Sequence, residues 1–154
     1  MKTVFVDTNV VLDVLLQNEG LWESSLGILR LAELARIRAC VSSSSVTDIF
    51  YIARKRLTVP VARAAIESIL HLFDIIGVDG DDLRGAMTIP IADVEDALQV
   101  WCAQKVGAVA IITRNVGDFA NIDIPVITPE EFEVNGTRAG QRICPTMPCA
   151  LAQK

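Results

Sequence analysis

Four aspartates are the residues of this 154-residue sequence that are best placed to do chemistry. They are Asp7, Asp48, Asp96 and Asp118. Asp7 directly follows the run Lys2–Val6, and Asp118 comes soon after the run Val109–Thr113. Both runs are short and rich in β-branched residues, which is typical of buried strands. Taken alone, each of these two acids also suits a turn or a helix cap.

Asp96 gives a sharper signal because it belongs to a predicted helix, Asp93–Gly107. It shares a helical face with the apolar residues four and seven positions later, and a carboxylate on a buried face needs a partner. A capping box with Asp93 as the N-cap explains Asp96 equally well, and we expect Glu95 to be solvated. Asp48 lies opposite the apolar stripe of its own helix, where an exposed acid is the default interpretation.

Acids that follow parallel strands meet at one edge of a sheet, and this convergence would decide the chemistry. Neighbouring carboxylates cannot all stay ionised unless a cation is present. Oxygen ligands of this kind suit Mg²⁺ or Mn²⁺. Beside a phosphodiester, such an ion lowers the pKa of a water and offsets the phosphate charge. This chemistry requires no histidine, and the sequence contains only His71, which we expect to be structural.

The composition is that of a compact domain with an aliphatic core. Hydrophobic residues make up 51% and charged residues 21% of the chain, which excludes a disordered or fibrous protein. No apolar run approaches the ~18–20 residues that cross a bilayer, and no cleavage site follows the N-terminal apolar residues. We therefore expect a soluble, cytoplasmic protein. The four cysteines show no CxxC spacing, so we expect reduced thiols and neither a zinc site nor a disulfide framework.

The net charge of −5 is the opposite of the balance expected for a general nucleic-acid binder. Contact with nucleic acid would therefore need a local group of bases. The candidates for phosphate contact are Arg54, Lys55, Arg56 and Arg114. A solvated basic surface is the alternative interpretation of these residues.

Strand-like and helix-like segments alternate along the chain. The predicted strands are Lys2–Val6, Ala39–Val41, Asp74–Val78, Val109–Thr113 and Ile124–Ile127. The predicted helices are Val10–Leu16, Trp22–Ala35, one from the Ser42–Ser45 cap region to about Leu57, one opening at Pro60, Asp81–Met87, Asp93–Gly107 and one beginning with Pro129–Phe132. Connections too long for hairpins predict right-handed crossovers and a parallel sheet with helices on both faces. In this α/β fold, ligands bind beyond the carboxyl ends of the strands.

The periodic pattern predicts one domain over residues 1–134. From Asn135 onward the composition changes to Gly, Pro, Thr, Arg and Cys without periodicity. We therefore expect residues 135–154 to form a flexible C-terminal tail.

Four short motifs occur in order along the chain. They are Val4-Phe5-Val6-Asp7-Thr8-Asn9, Ser45-Val46-Thr47-Asp48-Ile49-Phe50, Asp93-Val94-Glu95-Asp96-Ala97-Leu98-Gln99 and Thr113-Arg114-Asn115-Val116-Gly117-Asp118-Phe119. From about residue 2 to Phe132 the sequence resembles the PIN-domain family, and within it the bacterial VapC-like ribonucleases. Each motif is short and weak by itself, and the specificity comes from all four at family spacing.

The resemblance implies a Rossmann-like three-layer α/β/α sandwich with a parallel sheet of four to five strands. It also implies a Mg²⁺- or Mn²⁺-dependent endoribonuclease acting on single-stranded RNA, often a toxin opposed by a cognate antitoxin. Position by position, the catalytic, metal-binding acids are Asp7, Asp48, Asp96 and Asp118, and the supporting residues are Asn9, Thr113, Asn115 and Asp93. Asp48 is a departure, because the toxin branch commonly has Glu there, one methylene longer.

Two further interpretations concern partners and activity. Apolar residues over Val10–Leu16 and Trp22–Leu34 exceed what one helix face needs, which core packing, a homodimer or docking of an antitoxin helix would explain. A catalytically silent module that binds RNA or protein is the alternative to a nuclease. A receiver-type signalling domain is disfavoured, because only Asp7 follows the first strand and no Lys follows Ile124–Ile127.

Overall fold

The computed structural model describes residues 1–136 as alternating strands and helices. The strands are β1 (Lys2–Val6), β2 (Ile37–Ser42), β3 (Asp74–Ile76), β4 (Ala110–Ile112) and β5 (Val126–Ile127). The helices are α1 (Thr8–Leu15), α2 (Trp22–Glu33), α3 (Ser43–Ala53), α4 (Val59–Leu72), α5 (Gly80–Ala86), α6 (Val94–Lys105) and α7 (Pro129–Gly136), with a 3₁₀ helix over Val116–Phe119. Of the predicted tail, 135–154, the first two residues end α7 and the others lie outside the described residues.

The strands form one sheet in the order β3-β2-β1-β4-β5, and every neighbouring pair is parallel. This confirms the predicted α/β sandwich. Val6 of the central strand is in register with Ile112 of β4, and the Asp7 N–H donates to the Ile112 carbonyl at 2.9 Å. Asp7 and Thr113 therefore leave the sheet side by side at its carboxyl edge.

The sheet separates two apolar cores, one on each face. Val4 and Val6 point into one core, whereas Phe5 points into the other, and all three side chains are fully buried. A strand buried on both faces needs a continuous apolar run, which explains the composition of β1. Burial on both sides leaves the strand ends as the place where polar residues can gather.

Local capping fixes where the helices begin. The Ser42 hydroxyl accepts from the Ser45 N–H and starts α3, and Thr58 caps α4, whose first turn contains Pro60. Asp79 and Asp82 form a reciprocal capping box at the start of α5. These contacts satisfy the backbone N–H groups that a helix start leaves unpaired.

The structure differs from the predicted elements mainly at their ends. Strands β3, β4 and β5 are shorter than predicted, whereas β2 is longer. The 3₁₀ helix over Val116–Phe119 was not predicted, since a single turn carries no periodicity to read. Cys40 and Cys102 are buried free thiols, and Cys144 and Cys149 lie outside the described residues. Among residues 1–136, no helix combines the length and apolarity needed to cross a membrane.

Candidate active site

Asp7 is the central carboxylate of the site, buried at the carboxyl end of β1 with 5% of its surface exposed. Three neutral side-chain donors hold it. Gln99 Nε2 donates to Asp7 Oδ1 at 2.9 Å, while Asn9 Nδ2 and Thr113 Oγ1 each donate to Asp7 Oδ2 at 2.7 Å. A buried carboxylate needs such bonds, and none of these donors carries a charge that would neutralise it. The site therefore retains a net negative charge around Asp7.

The loop after β4 is organised around Thr113, which is fully buried. Its hydroxyl accepts from the Asn115 N–H at 3.0 Å and lies 3.3 Å from Asn9 Nδ2. The Arg114 N–H in turn donates to Asn9 Oδ1 at 3.4 Å. Asn9 and Thr113 thus lie beside Asp7 as the resemblance implies, and Asn115 reaches this group through its backbone, its side chain being exposed.

Asp93 and Asp96 share the start of α6 but have different roles. The Asp93 carboxylate accepts from the N–H groups of Glu95 and Asp96 at 2.9 and 3.1 Å, so Asp93 is the predicted N-cap. Among residues 1–136, Asp96 makes no reciprocal bond to the Asp93 backbone, so the capping-box interpretation of Asp96 is wrong. Its half-buried side chain is free to serve the site.

The pKa of Asp96 is raised, as expected for a carboxyl group that is close to other acids. The pKa of Asp96 is raised to about 6, by burial first and then by the charges of Asp7, Asp93 and Asp118 in that order of importance. Desolvation and like charge both favour the neutral acid. Asp7 and Asp118, which are far apart in sequence, therefore lie within electrostatic reach of Asp96.

Glu95 is a further acid of the site, and the prediction that it is solvated was incomplete. The residue has exposed surface, but its Oε1 accepts from Thr8 Oγ1 at 3.4 Å, across the gap between α6 and α1. The pKa of Glu95 is raised to about 6, by burial of its carboxyl group first and then by the charges of Asp48 and Asp7. The Asp-x-Glu-Asp spacing was the signal that could have identified it.

Asp48 and Asp118 are the other two predicted acids of the site. Asp48 is half-buried on α3 and acts on Glu95, so the default interpretation of an exposed acid is wrong. Asp118 is exposed in the 3₁₀ helix, where its N–H donates to the Asn115 carbonyl at 3.0 Å. The structure therefore brings all four predicted acids to the same edge of the sheet.

The predicted bases divide into two groups. Arg54, Lys55 and Arg56, here called the basic segment, are all exposed at the end of α3, the helix that carries Asp48. Arg114 is different, because its guanidinium forms an ion pair with Asp13, whose side chain is 1% exposed. Ser25 and Asn18 also donate to Asp13. Arg114 is thus engaged with a buried partner, and we remove it from the phosphate-contact set.

Gln99 is the residue of the site that the sequence interpretation missed. Its side chain is 1% exposed and lies between the buried residues Leu98 and Val100 on α6. The signal that could have identified it is its position three residues after Asp96, which puts both on one helical face. A buried Gln side chain among apolar residues needs a hydrogen-bond partner, and the partner of Gln99 is Asp7.

The described part of the site contains carboxylate oxygens that could bind a metal, but they do not form a complete coordination sphere. In residues 1–136, no three His, Cys, Asp or Glu side chains are arranged so as to hold an ion as they stand. Asp7 accepts three hydrogen bonds, however, and a carboxylate has about four acceptor positions. The exposed or half-buried side chains of Asp96 and Asp118 have room to rotate. All-oxygen chemistry and crowded negative charge fit a hard divalent cation.

The fold is a parallel α/β sandwich with carboxylates gathered beyond β1 and β4, at the edge of the sheet where ligands bind in folds of this class. Comparison with known proteins identifies the family. The sequence matches the family model of the PIN domain over residues 3–117, which is most of the chain. The chain belongs to the PIN-domain family.

Individual relatives agree with this assignment. The chain is 28% identical to "Ribonuclease VapC1" of Aquifex aeolicus (strain VF5) over 136 residues, which is 85% of this chain and 93% of the relative. A toxin-antitoxin complex from Klebsiella pneumoniae contains a chain that is 24% identical, with a TM-score of 0.62 over 82% of this chain and 97% of that one. FitAcB from Neisseria gonorrhoeae superposes with a TM-score of 0.65 at 20% identity, covering 82% and 98%. These two solved structures support the fold.

Proposed function

We propose that this protein is an endoribonuclease that hydrolyses phosphodiester bonds of single-stranded RNA and depends on Mg²⁺ or Mn²⁺. The observation that carries the proposal is the buried Asp7, held by three neutral donors beside acids whose pKa values are raised. Uncompensated negative charge of this kind destabilises a fold, and a divalent cation would offset it. The similarity to a protein named as a ribonuclease supplies the reaction class.

We assign a metal-binding or a positioning role to each residue of the site. Asp7, Asp96 and Asp118 would hold the ion, with Asp48 as the outer ligand on the side of Glu95. When bound, the ion supplies charge neutralisation at the scissile phosphate and lowers the pKa of a water. Thr113 and Asn9 fix the Asp7 carboxylate, and the cap at Asp93 fixes the first turn of α6.

RNA must approach this acidic edge against a net charge of −5. The basic segment directly follows α3, the helix that carries Asp48, and its three bases are exposed. Lys55 Nζ lies 4.1 Å from the centre of the Tyr51 ring, which leaves its charge near an exposed aromatic surface. We assign phosphate contact to this segment, because phosphate contacts supply affinity without reading sequence.

The relatives also suggest a biological setting. The Klebsiella structure is a toxin-antitoxin complex, and we propose that this protein is likewise a cytoplasmic toxin with a cognate antitoxin. A homodimer is part of the same proposal. Co-expression with the product of the adjacent open reading frame, followed by size-exclusion chromatography with light scattering, tests both: a hetero-complex supports the antitoxin, and a monomeric free protein contradicts the dimer.

A catalytically silent binding module is the second candidate. Two observations favour it. Asp48 is shorter than the Glu that is common at this position in the toxin branch of the family. In addition, no three carboxylates of residues 1–136 are arranged so as to hold a metal ion. Such a module would bind RNA without divalent-dependent turnover. The two candidates therefore differ in cleavage, while both allow binding.

Cleavage of a fluorogenic single-stranded RNA separates the candidates. We expect Mn²⁺-dependent turnover by the wild type, and a loss of at least ~100-fold in Asp7→Asn and Asp118→Asn, since charge at the reacting phosphate is worth several kcal/mol. Asp123→Asn, at an exposed acid outside the site, is the matched control and should cleave like the wild type. Activity that persists in Asp7→Asn, or in excess chelator, would contradict the proposal.

A further inference from the structure

We infer that Gln99 is a positioning residue, which orients the Asp7 carboxylate and sets its distance from Asp96. The inference rests on the proposed function, because it concerns how the site holds its first ligand. Its observations are independent of any metal, since they are contacts within the protein itself.

Among residues 1–136, Gln99 is the side chain that donates a hydrogen bond to Asp7 Oδ1. Its Nε2 donates to Oδ1 at 2.9 Å, whereas Asn9 and Thr113 both donate to Oδ2. With bonds on both oxygens the plane of the carboxylate is fixed. Removal of the Gln99 bond would leave two donors on one oxygen, and the carboxylate could then turn about its side-chain torsion. Gln99 is therefore the contact that blocks this rotation.

Gln99 also connects the two acids that come from different parts of the fold. Asp7 follows the central strand, and Asp96 lies in the first turn of α6, three residues before Gln99 and on the same helical face. A hydrogen bond from α6 to Asp7 therefore fixes the approach of this helix to the strand end. The separation of Asp7 and Asp96 follows from that approach.

The cost of Gln99 to the fold argues against a purely structural role. The side chain is 1% exposed, and Gln99 Oε1 is buried with no hydrogen-bond partner in residues 1–136. An unpaired buried acceptor lowers stability, and an apolar residue of similar size would avoid it. The amide cannot turn its oxygen towards Asp7, because that carboxylate oxygen only accepts. The hydrogen bond to Asp7 therefore leaves Gln99 Oε1 without a partner among residues 1–136.

Gln99→Met tests the inference, because Met has nearly the same length and no amide. Gln104→Met is the matched control, being the same change at an exposed position on the same helix. The readouts are Mn²⁺ affinity by titration calorimetry, kcat and KM on the fluorogenic RNA, and the thermal midpoint. For Gln99→Met we expect Mn²⁺ binding and kcat to fall ~10–100-fold, as for residues that orient metal ligands, with KM within about threefold. The thermal midpoint should stay close to that of the wild type, because relief of the unpaired Gln99 Oε1 offsets the bond that the buried Asp7 carboxylate loses, and the control should match the wild type.

Mn²⁺ affinity and kcat within twofold of the wild type would overturn the inference. A fall in the thermal midpoint with losses in every readout would also overturn it, because Gln99 would then be a structural residue. A crystal structure of Gln99→Met gives a readout without metal or RNA: a turned Asp7 carboxylate supports the inference, and an unchanged one refutes it. If the wild type neither binds Mn²⁺ nor cleaves RNA, the proposed function fails, and this structural readout still decides the role of Gln99.

Discussion

Replacing Asp96 by Asn should stabilise the protein while it removes activity. The pKa of Asp96 is raised from 3.8 to about 6 by burial first and then by the charges of neighbouring acids. The folded protein therefore binds the proton more tightly than the unfolded chain does. Stability is highest where Asp96 is protonated in both states, falls as the pH rises from about 4 to about 6, and stays reduced above that. At neutral pH the ionised Asp96 is a destabilising group.

The size of the effect follows from the same pKa change. Each pKa unit is worth about 1.4 kcal/mol, so a fully enclosed Asp96 would cost roughly 3 kcal/mol. The side chain is only half-buried, and water screens much of this, which leaves roughly 1–2 kcal/mol. Loss of a charge from the first helical turn subtracts about 0.3–1 kcal/mol. A net gain of about 1 kcal/mol raises the melting temperature by roughly 2–4 °C in a chain of this size.

Thermal unfolding in excess chelator at pH 7.5 and pH 4.5 measures this difference. We expect Asp96→Asn to melt above the wild type at pH 7.5 and close to it at pH 4.5, with Asp123→Asn unchanged at both. Added Mn²⁺ should then stabilise the wild type more than Asp96→Asn, because only a bound ligand raises stability by mass action. A lower melting temperature for Asp96→Asn at pH 7.5 would refute the reasoning that the acids repel one another.

Three further predictions concern the frame around the site. Arg114→Gln leaves the buried Asp13 carboxylate without its charged partner and should lower the free energy of unfolding in urea by about 3 kcal/mol. Arg84→Gln, in an exposed ion pair, is the control and should cost less than about 1 kcal/mol. Equal losses in the two variants would contradict a stabilising role of the Arg114–Asp13 pair. Gly85→Ala places a Cβ against the Trp101 ring and should cost about 1–3 kcal/mol despite the better helix propensity of Ala. Unchanged urea unfolding would refute the close packing of Gly85 and Trp101. Alanine at all three bases of the basic segment should weaken RNA binding and lower the slope of log affinity against log salt by about 2, at ~0.7 per phosphate contact, and an unchanged slope would exclude the segment.

The sequence was informative wherever a residue's role depends on its own strand or helix. Asp7 after an apolar strand and Asp93 before an amphipathic helix could both be placed from their immediate neighbours. Parallel pairing followed from connection lengths, and it correctly predicted that acids after different strands converge. These are local signals, and the structure confirms the places they indicate.

Contacts between elements could not be predicted in the same way. The position of Asp48 depends on how α3 rotates against the sheet, which its own apolar stripe did not reveal. Arg114 looked like a free base because Asp13, its partner, is 101 residues away. Gln99 was overlooked for a similar reason, since its partner is 92 residues away. Such pairs depend on tertiary packing, which no local pattern encodes.

Anomalous scattering from crystals soaked in Mn²⁺ tests the central claim most directly. The account predicts a peak at the carboxyl edge of the sheet, in contact with Asp7 and with Asp96 or Asp118, and no peak there in crystals of Asp7→Asn. An ion bound elsewhere, or no ion in wild-type crystals at millimolar Mn²⁺, would contradict the claim that these carboxylates form a metal site.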